Sequence, residues 1–348
     1  MKVKAVTGKI IKEIASISKT LKRPVKIMEV CGTHTQTIAK YSIRSILPEN
    51  ITLVSGPGCP VCVTPQKTID KAVRLAIKGI PIATYGDMLK VPGTVMSLEK
   101  ARANGADIFI VESTTDALKL KEQHKDLVFL AIGFETTTPM TAYAVKKGLD
   151  IICAHKTIPE AMQAIISDKN NQIDGFINPG HVSIIIGTKA YLKIDTPQVI
   201  AGFEPEDVLA AILMLLHQIK DNKKKVENEY TKAVRPEGNI EAKQLTENVF
   251  EKCDAQWRGI GTIPKSGLKL KDRYKAQDAI QKYADILKDL PEPKNNKECR
   301  CADVMLGKIN PQQCPMFAKG CDIENPIGPC MVGSEGACMI AYRYRDKI

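Results

Sequence analysis

The residues best equipped for chemistry in this chain are its cysteines, eleven in 348 residues. Cys59-Pro60-Val61-Cys62 follows Gly56-Pro57-Gly58 and the apolar run Ile51 to Val54, and it precedes a helix-like segment beginning near Pro65. A strand, a Gly-Pro-Gly turn and a C-x-x-C ahead of a helix place two thiols at a helix N-terminus, where the dipole favours thiolate. That arrangement suits a redox dithiol. A structural pair or half of a zinc site is the alternative, although the second C-x-x-C of a tetrahedral zinc knuckle is missing from the chain.

Six further cysteines, Cys299, Cys301, Cys314, Cys321, Cys330 and Cys338, crowd the C-terminal tail that starts at Lys294. The tail has too little apolar periodicity to build its own core, and bound metal can supply that folding energy. The gaps are wide and unequal, with Pro or Gly nearby. They suit a four-thiolate iron-sulfur cluster better than a zinc ribbon, with zinc, disulfides and free thiols left open.

Cys31 stands apart. It follows a short strand candidate and precedes a helix, which predicts a rim-exposed thiol of lowered pKa suited to a soft metal such as iron; a buried, inert thiol is the alternative. His34, three residues on, and His181, after a Pro-Gly turn, could position a ligand or a proton, or simply cap or pack. Asp87, Glu135 and Glu335 could relay protons or receive hydrogen bonds, though acidic residues at helix starts often only cap. Cys153, inside a strand, and Cys253, inside a helix, read as core or incidental thiols.

The elements that must hold these groups form a regular series. Apolar runs recur at Val25–Val30, Ile51–Val54, Ile80–Thr84, Ile108–Val111, Leu127–Ile132, Asp150–Ala154, Ile173–Ile177 and Pro197–Ala201, with helix-like segments between them. Eight strands alternating with helices predict parallel α/β architecture. Two groups of four suggest two similar Rossmann-like domains, 24–118 and 119–206. Residues 1–23 are expected to form a helix packed on a third, mixed and mainly helical domain, 207–348, with helices at Asp207–Lys220, Ile240–Cys253 and Tyr274–Leu290. The reactive residues fall in loops after strands, the rim where open parallel sheets bind ligands.

Composition narrows the partners. The net charge of +11 is spread out, with one sharp basic run at Lys223–Lys225 and no aromatic-rich companion, so nucleic-acid binding is not expected and acidic protein partners are. The N-terminal stretch spaces Val6, Ile10, Ile14 and Ile17 at helical intervals among lysines, without a leader-like apolar core, and no run approaches a membrane span. A cytoplasmic protein, monomeric within its complexes, is the expectation. In a reducing compartment, eleven cysteines point to metal and redox chemistry rather than a disulfide framework.

Seven motifs in order sharpen this: Val30-Cys31-Gly32-Thr33-His34-Thr35, Gly56 to Cys62, Gly86-Asp87-Met88 with Val91-Pro92-Gly93, Gly133-Phe134-Glu135-Thr136-Thr137, Pro179-Gly180-His181-Val182-Ser183, Ala201-Gly202-Phe203-Glu204-Pro205 and Ser334-Glu335-Gly336-Ala337-Cys338. Together they resemble the HypD family of [NiFe]-hydrogenase maturation proteins. The resemblance implies two α/β domains, a third domain bearing a [4Fe-4S] cluster, and a cleft where the Fe(CN)2CO unit is assembled. It implies that iron is shared between Cys31 and a small HypC-type chaperone, and that a HypE-type protein donates cyanide. The tail cysteines matching the family's cluster pattern are Cys301, Cys314, Cys321 and Cys338, with a swap involving Cys330 or Cys299 open. The mechanistic expectation is a relay from cluster to the Cys59/Cys62 dithiol to iron at Cys31. A general thiol-disulfide oxidoreductase and a zinc-binding scaffold are the competing classes.

Overall fold

The computed structural model describes residues 2–168, 170–293 and 298–345; residues 294–297, the first of the tail, lie outside the described residues. All eight apolar runs form strands: Val25–Glu29 (β1), Ile51–Ser55 (β2), Ile82–Thr84 (β3), Ile108–Ile110 (β4), Val128–Ala131 (β5), Asp150–Cys153 (β6), Gly175–Pro179 (β7) and Gln198–Ala201 (β8). Their near-continuous apolar character reflects burial on both faces, complete along β5 and β8.

The strands divide between sheets differently from two consecutive groups of four. One parallel sheet has the order β2-β1-β7-β8-β9, where β9 is Val226–Asn228, and the other has the order β4-β3-β5-β6. The chain therefore leaves the first sheet after β2, builds the whole second sheet, and returns at β7. Boundaries at 24–118 and 119–206 do not match this path. In register, Ile27 of β1 lies between Leu53 of β2 and Gly175 of β7, so the two visits to the first sheet are paired side by side.

The helix Pro205–Lys220 covers the first sheet and shares a core with it through Leu209, Ile212 and Leu216. The N-terminal helix Lys2–Ser18 packs on that helix, burying Ile14 and Ile17, so it meets the segment 207–348 at that segment's first helix and, through it, the first sheet. Further on, the expected helices are cut short. Ile240–Val249 is helical, but the chain then turns into β10 (Phe250–Trp257), which pairs antiparallel with β11 (Gly261–Leu270). Alternation at the end of β10, with Ala255 and Trp257 buried about exposed Gln256, wins over helical periodicity, and a register shift between Cys253 and Ala255 lets Phe250 be buried as well. Only a 3-10 turn, Asp272–Gln277, and the short helix Ala279–Lys282 occupy the segment expected to be helical to Leu290. Among the described residues no helix is long and apolar enough to cross a membrane.

Parallel pairing puts the carboxyl ends of β1, β2, β7 and β8 at one edge, so the loops at Cys31, Gly56–Cys59, Gly180–His181 and Gly202–Glu204 meet there. The position of Cys31 thus depends on β1 staying seated. Ile27→Ala should cost about 2–5 kcal/mol through the cavity it leaves in the middle of β1; a urea unfolding midpoint unchanged from the parent would contradict this seating.

Candidate functional site

Cys31 is the residue that ends β1 and caps the helix Gly32–Lys40. Its backbone N–H donates to Glu29 Oε2 at 3.0 Å, and Thr35 Oγ1 donates to Glu29 Oε1 at 2.5 Å. Glu29 is buried at the end of the strand, and desolvation raises its carboxyl to about 7 against the pull of these hydrogen bonds. The loop is thereby pinned from below. The Cys31 thiol differs from its expected state: burial, and then the charge of Glu335, push it up to about 12. Backbone N–H groups of His34 and Thr33 do favour the thiolate, as the helix-start argument says, but they are outweighed.

One segment of the tail, Gly333 to Cys338, straps the thiol sites together. A Cβ on Gly32 would fall 2.2 Å from Glu335 Cβ and 2.8 Å from its carbonyl oxygen, so the strap lies directly on the Cys31 loop. A Cβ on Gly58 would fall 2.4 Å from Cys31 N, which seats the Gly56–Cys62 turn against the same loop. Gly333 sits over Cys59, its Cβ position 3.2 Å from Cys59 Sγ. Asp87, arriving from the loop after β3, accepts hydrogen bonds at Oδ2 from Ser334 N (2.8 Å) and Ser334 Oγ (2.7 Å). Asp87 is therefore a clamp on the strap. Glu335 stands beside it, its carboxyl raised first by burial and then by the charge of Asp87.

Cys59 and Cys62 are joined as a disulfide, and both are buried. Cys59 caps the short helix Pro60–Val63, its sulfur accepting from Cys62 N at 3.2 Å. The pair is therefore a closed C-x-x-C beside Cys31 and under the strap.

The two histidines meet on a third motif. His34 and His181 stack on Phe203, with ring centroids 5.0 Å and 4.0 Å away. His34 is fully buried and donates from Nε2 to Gly202 O at 2.8 Å, while its Nδ1 has no partner among the described residues. Burial lowers His34 to about 4, so it is a neutral imidazole at neutral pH. His181 is exposed and lowered by partial burial. His34 thus has a structural anchor and one free acceptor nitrogen, and His181 faces solvent.

The six tail sulfurs converge. Cys299, Cys301, Cys314, Cys321, Cys330 and Cys338 line one small cavity, closed by Met316, Phe317, Ile327 and Met331. Cys301 Sγ and Cys330 Sγ are 2.7 Å apart, and Cys321 Sγ accepts from Ile327 N at 3.3 Å. Hydrogen bonds from Cys299 and then Cys330 hold Cys301 toward thiolate. Soft sulfur donors in an apolar shell, with backbone N–H groups aimed at them, fit a thiolate-ligated group. Among the described residues no three His, Cys, Asp or Glu side chains stand at the spacing for a single ion. Cys330 shares the wall with Cys301, which keeps the swap open.

Glu135 faces a separate cavity of about 700 Å³, lined also by Thr157, Glu160, Thr246 and Lys252. Its Oε1 accepts from Ile158 N at 3.0 Å, its Oε2 has no partner among the described residues, and burial raises its carboxyl to about 8. Cys153 donates to Leu268 O and Cys253 lies in the β10–β11 hairpin, away from the tail. Four residues were not foreseen: Glu29, Ser334, Phe203 and Arg258. Glu29 carried a signal, a lone acid inside the apolar run ahead of Cys31; Ser334 and Phe203 sat within motifs whose cysteine or acid drew the attention; Arg258 carried none.

Two outcomes follow. Gly32→Ala must push the strap off the Cys31 loop, lowering stability by about 1–3 kcal/mol and speeding reduction of Cys59–Cys62 by an external thiol, read by thiol labelling. For Glu135, the folded carboxyl keeps a proton up to about 8 that the unfolded chain loses near 4.5. Its contribution is complete below the unfolded value and is lost as pH rises through the folded one. Urea unfolding from pH 5 to 8.5 should therefore show parent stability declining relative to Glu135→Gln; parallel curves would reject the raised carboxyl. His34 and His155, both lowered to about 4 by burial, act in the opposite direction but equally in both proteins.

The geometry agrees with what the chain is similar to. The family model HypD, described as hydrogenase formation hypA family, matches residues 5–345. A putative hydrogenase expression/formation protein of Methanocaldococcus jannaschii is 44% identical, covering 98% of this chain and 98% of its own. The hydrogenase maturation factor HypD of Azotobacter vinelandii is 43% identical over 93% of this chain and 90% of its own, and that of Cupriavidus necator 41% over 97% and 95%. With its seven motifs gathered largely around one strap and its length matched almost end to end, the chain belongs to the HypD family.

Proposed function

We propose that this chain is a [NiFe]-hydrogenase maturation factor, a redox-active scaffold on which the Fe(CN)2CO unit is put together. The observation that carries this reading is the strap: Gly333 to Cys338 contacts the Cys31 loop, covers Cys59 and ends at the thiol-lined cavity. Three thiol sites of different character are thereby held by six consecutive residues. Iron is the substrate, held at Cys31 together with a HypC-type chaperone docked on this rim, and a HypE-type partner brings cyanide. Binding a cation at Cys31 releases the thiol proton that burial retains.

Cys301, Cys314, Cys321 and Cys338 would hold a [4Fe-4S] cluster, with Cys330 or Cys299 as the alternative fourth ligand. Such a group, when bound, supplies electrons singly. The chain's own chemistry lies in Cys59 and Cys62. As a dithiol the pair gives up two electrons and two protons and becomes the disulfide. A thiocyanate-type donor, R–S–CN, takes up two electrons and one proton and yields R–SH and cyanide, leaving one proton for solvent. His34 Nδ1, without a partner among the described residues, and the exposed His181 stand on the loops of this rim. The cytoplasm, where free thiols persist, is the compartment this chemistry requires.

Infrared spectroscopy of the anaerobic complex with its small chaperone should show CN and CO bands for the parent and none for Cys31→Ala. Retained bands would remove Cys31 as the iron ligand. Cys59→Ala and Cys62→Ala should each abolish hydrogenase maturation, and maturation at the parental rate would sink the relay. Four iron and four sulfide per chain are expected of anaerobic protein for such a cluster; one zinc without sulfide would favour a zinc scaffold.

A further inference from the structure

The tip of the β10–β11 hairpin reaches into the space between the disulfide and the tail thiols. Its place is tightly fixed. Arg258 N donates to Val63 O at 2.9 Å, one residue beyond Cys62. Gly259, at φ +74°, approaches so closely that a Cβ there would lie 2.7 Å from Ala302 Cβ, in the helix Cys301–Met305. Trp257 behind the tip is fully buried, donating to Ser266 Oγ at 2.7 Å and stacking on Phe134 at 6.1 Å.

The Arg258 side chain enters a cavity of about 330 Å³ whose walls include Cys299, Cys301, Gln66, Thr94 and Gly328. Its Nη1 is buried and, among the described residues, has no hydrogen-bond partner. Asp70, a carboxylate within reach of its charge, is occupied by Thr94 N and Thr94 Oγ1, both at 2.6 Å. Desolvation weakens the hold of the guanidinium on its proton, and the charges that oppose this are, in order, those of Cys301, Cys299, Cys330 and Asp70. A buried cation left without a matched carboxylate is costly unless it has another negative partner.

We propose that Arg258 is a positioning residue for the tail thiolates: its guanidinium offsets their negative charge and so sets how readily a group they bind accepts an electron. The inference rests on the cluster proposed above. One-electron reduction of a thiolate-bound cluster adds one negative charge, and a nearby cation sheltered from solvent stabilises that added charge with little screening. Because the same residue is bonded through its backbone to the turn carrying Cys62, the cation is held in fixed relation to both thiol sites.

The test is a mediated potentiometric titration of the full chain, prepared anaerobically, as the parent, Arg258→Lys and Arg258→Gln, with iron and sulfide measured first. Arg258→Gln should lower the reduced-to-oxidised ratio at a fixed potential about tenfold, equivalent to about 59 mV more negative for one electron, with Arg258→Lys close to the parent. A full complement of iron and sulfide in Arg258→Gln with an unshifted potential overturns the inference. Should Arg258→Gln lose its iron while Arg258→Lys keeps both iron and potential, the charge is what is needed and the inference stands; loss in both variants makes the role structural and overturns it. A parent without iron and sulfide fails one step earlier, removing the cluster reading and the inference with it.

Discussion

Two glycines without room for a side chain hold the site together. Gly32 meets the backbone of Glu335, and Gly58 meets the backbone of Cys31, each at a separation that a Cβ would reduce below 3 Å. Close backbone approach is what glycine makes possible at a site that must bring loops from separate elements into contact. The Cys31 loop belongs to β1, the Cys59 turn to β2 and the strap to the tail, more than 270 residues further along the chain. Their contact is therefore a tertiary constraint imposed by backbone shape, and the side chains add chemistry to an arrangement already fixed.

The strap in turn depends on a hydrogen bond from the other sheet. Asp87 lies after β3, in the β4-β3-β5-β6 sheet, and grips Ser334 through both backbone and side chain. The first sheet supplies the thiol loops, the second supplies the clamp, and the tail runs between them. Phe203 does the corresponding work on the far side of Cys31, filling the gap between His34 and His181 so that the loops after β1, β7 and β8 share one stack. Aromatic faces at these separations pack without demanding a directional partner, which leaves His34 Nδ1 free while the ring stays immobile.

Strand positions were legible because most positions of the parallel strands are buried, completely along β3, β5 and β8, and the apolar runs are correspondingly long. Sheet membership was not, since nothing in Ile80–Thr84 or Ile173–Ile177 distinguishes which neighbour it will pair with. The hairpin at Phe250–Leu270 was missed because Phe250 and Trp257, seven residues apart, fit a helical repeat as well as a strand, and Glu251 to Asp254 between them are not buried. Of the site, the thiols, His34, His181, Asp87 and Glu335 were visible as residue types in motifs. Glu135 was also visible, but its cavity is a different one, as a loop motif says which strand it follows and not which way the side chain turns.

The protonation of the site shows why residue type alone misleads. A thiol at the start of a helix is expected to be acidic, and the backbone N–H groups at Cys31 do act in that direction. The same fold that places the strap over the loop also removes water from the sulfur and brings the Glu335 carboxylate to it, and these two effects oppose ionisation more strongly. Glu29 beneath and His34 alongside are pushed toward their neutral forms by the same exclusion of solvent. The outcome is a loop whose thiol, carboxyl and imidazole are all held toward their neutral forms. Enclosure thus outweighs the helix-start position in setting the protonation of this loop.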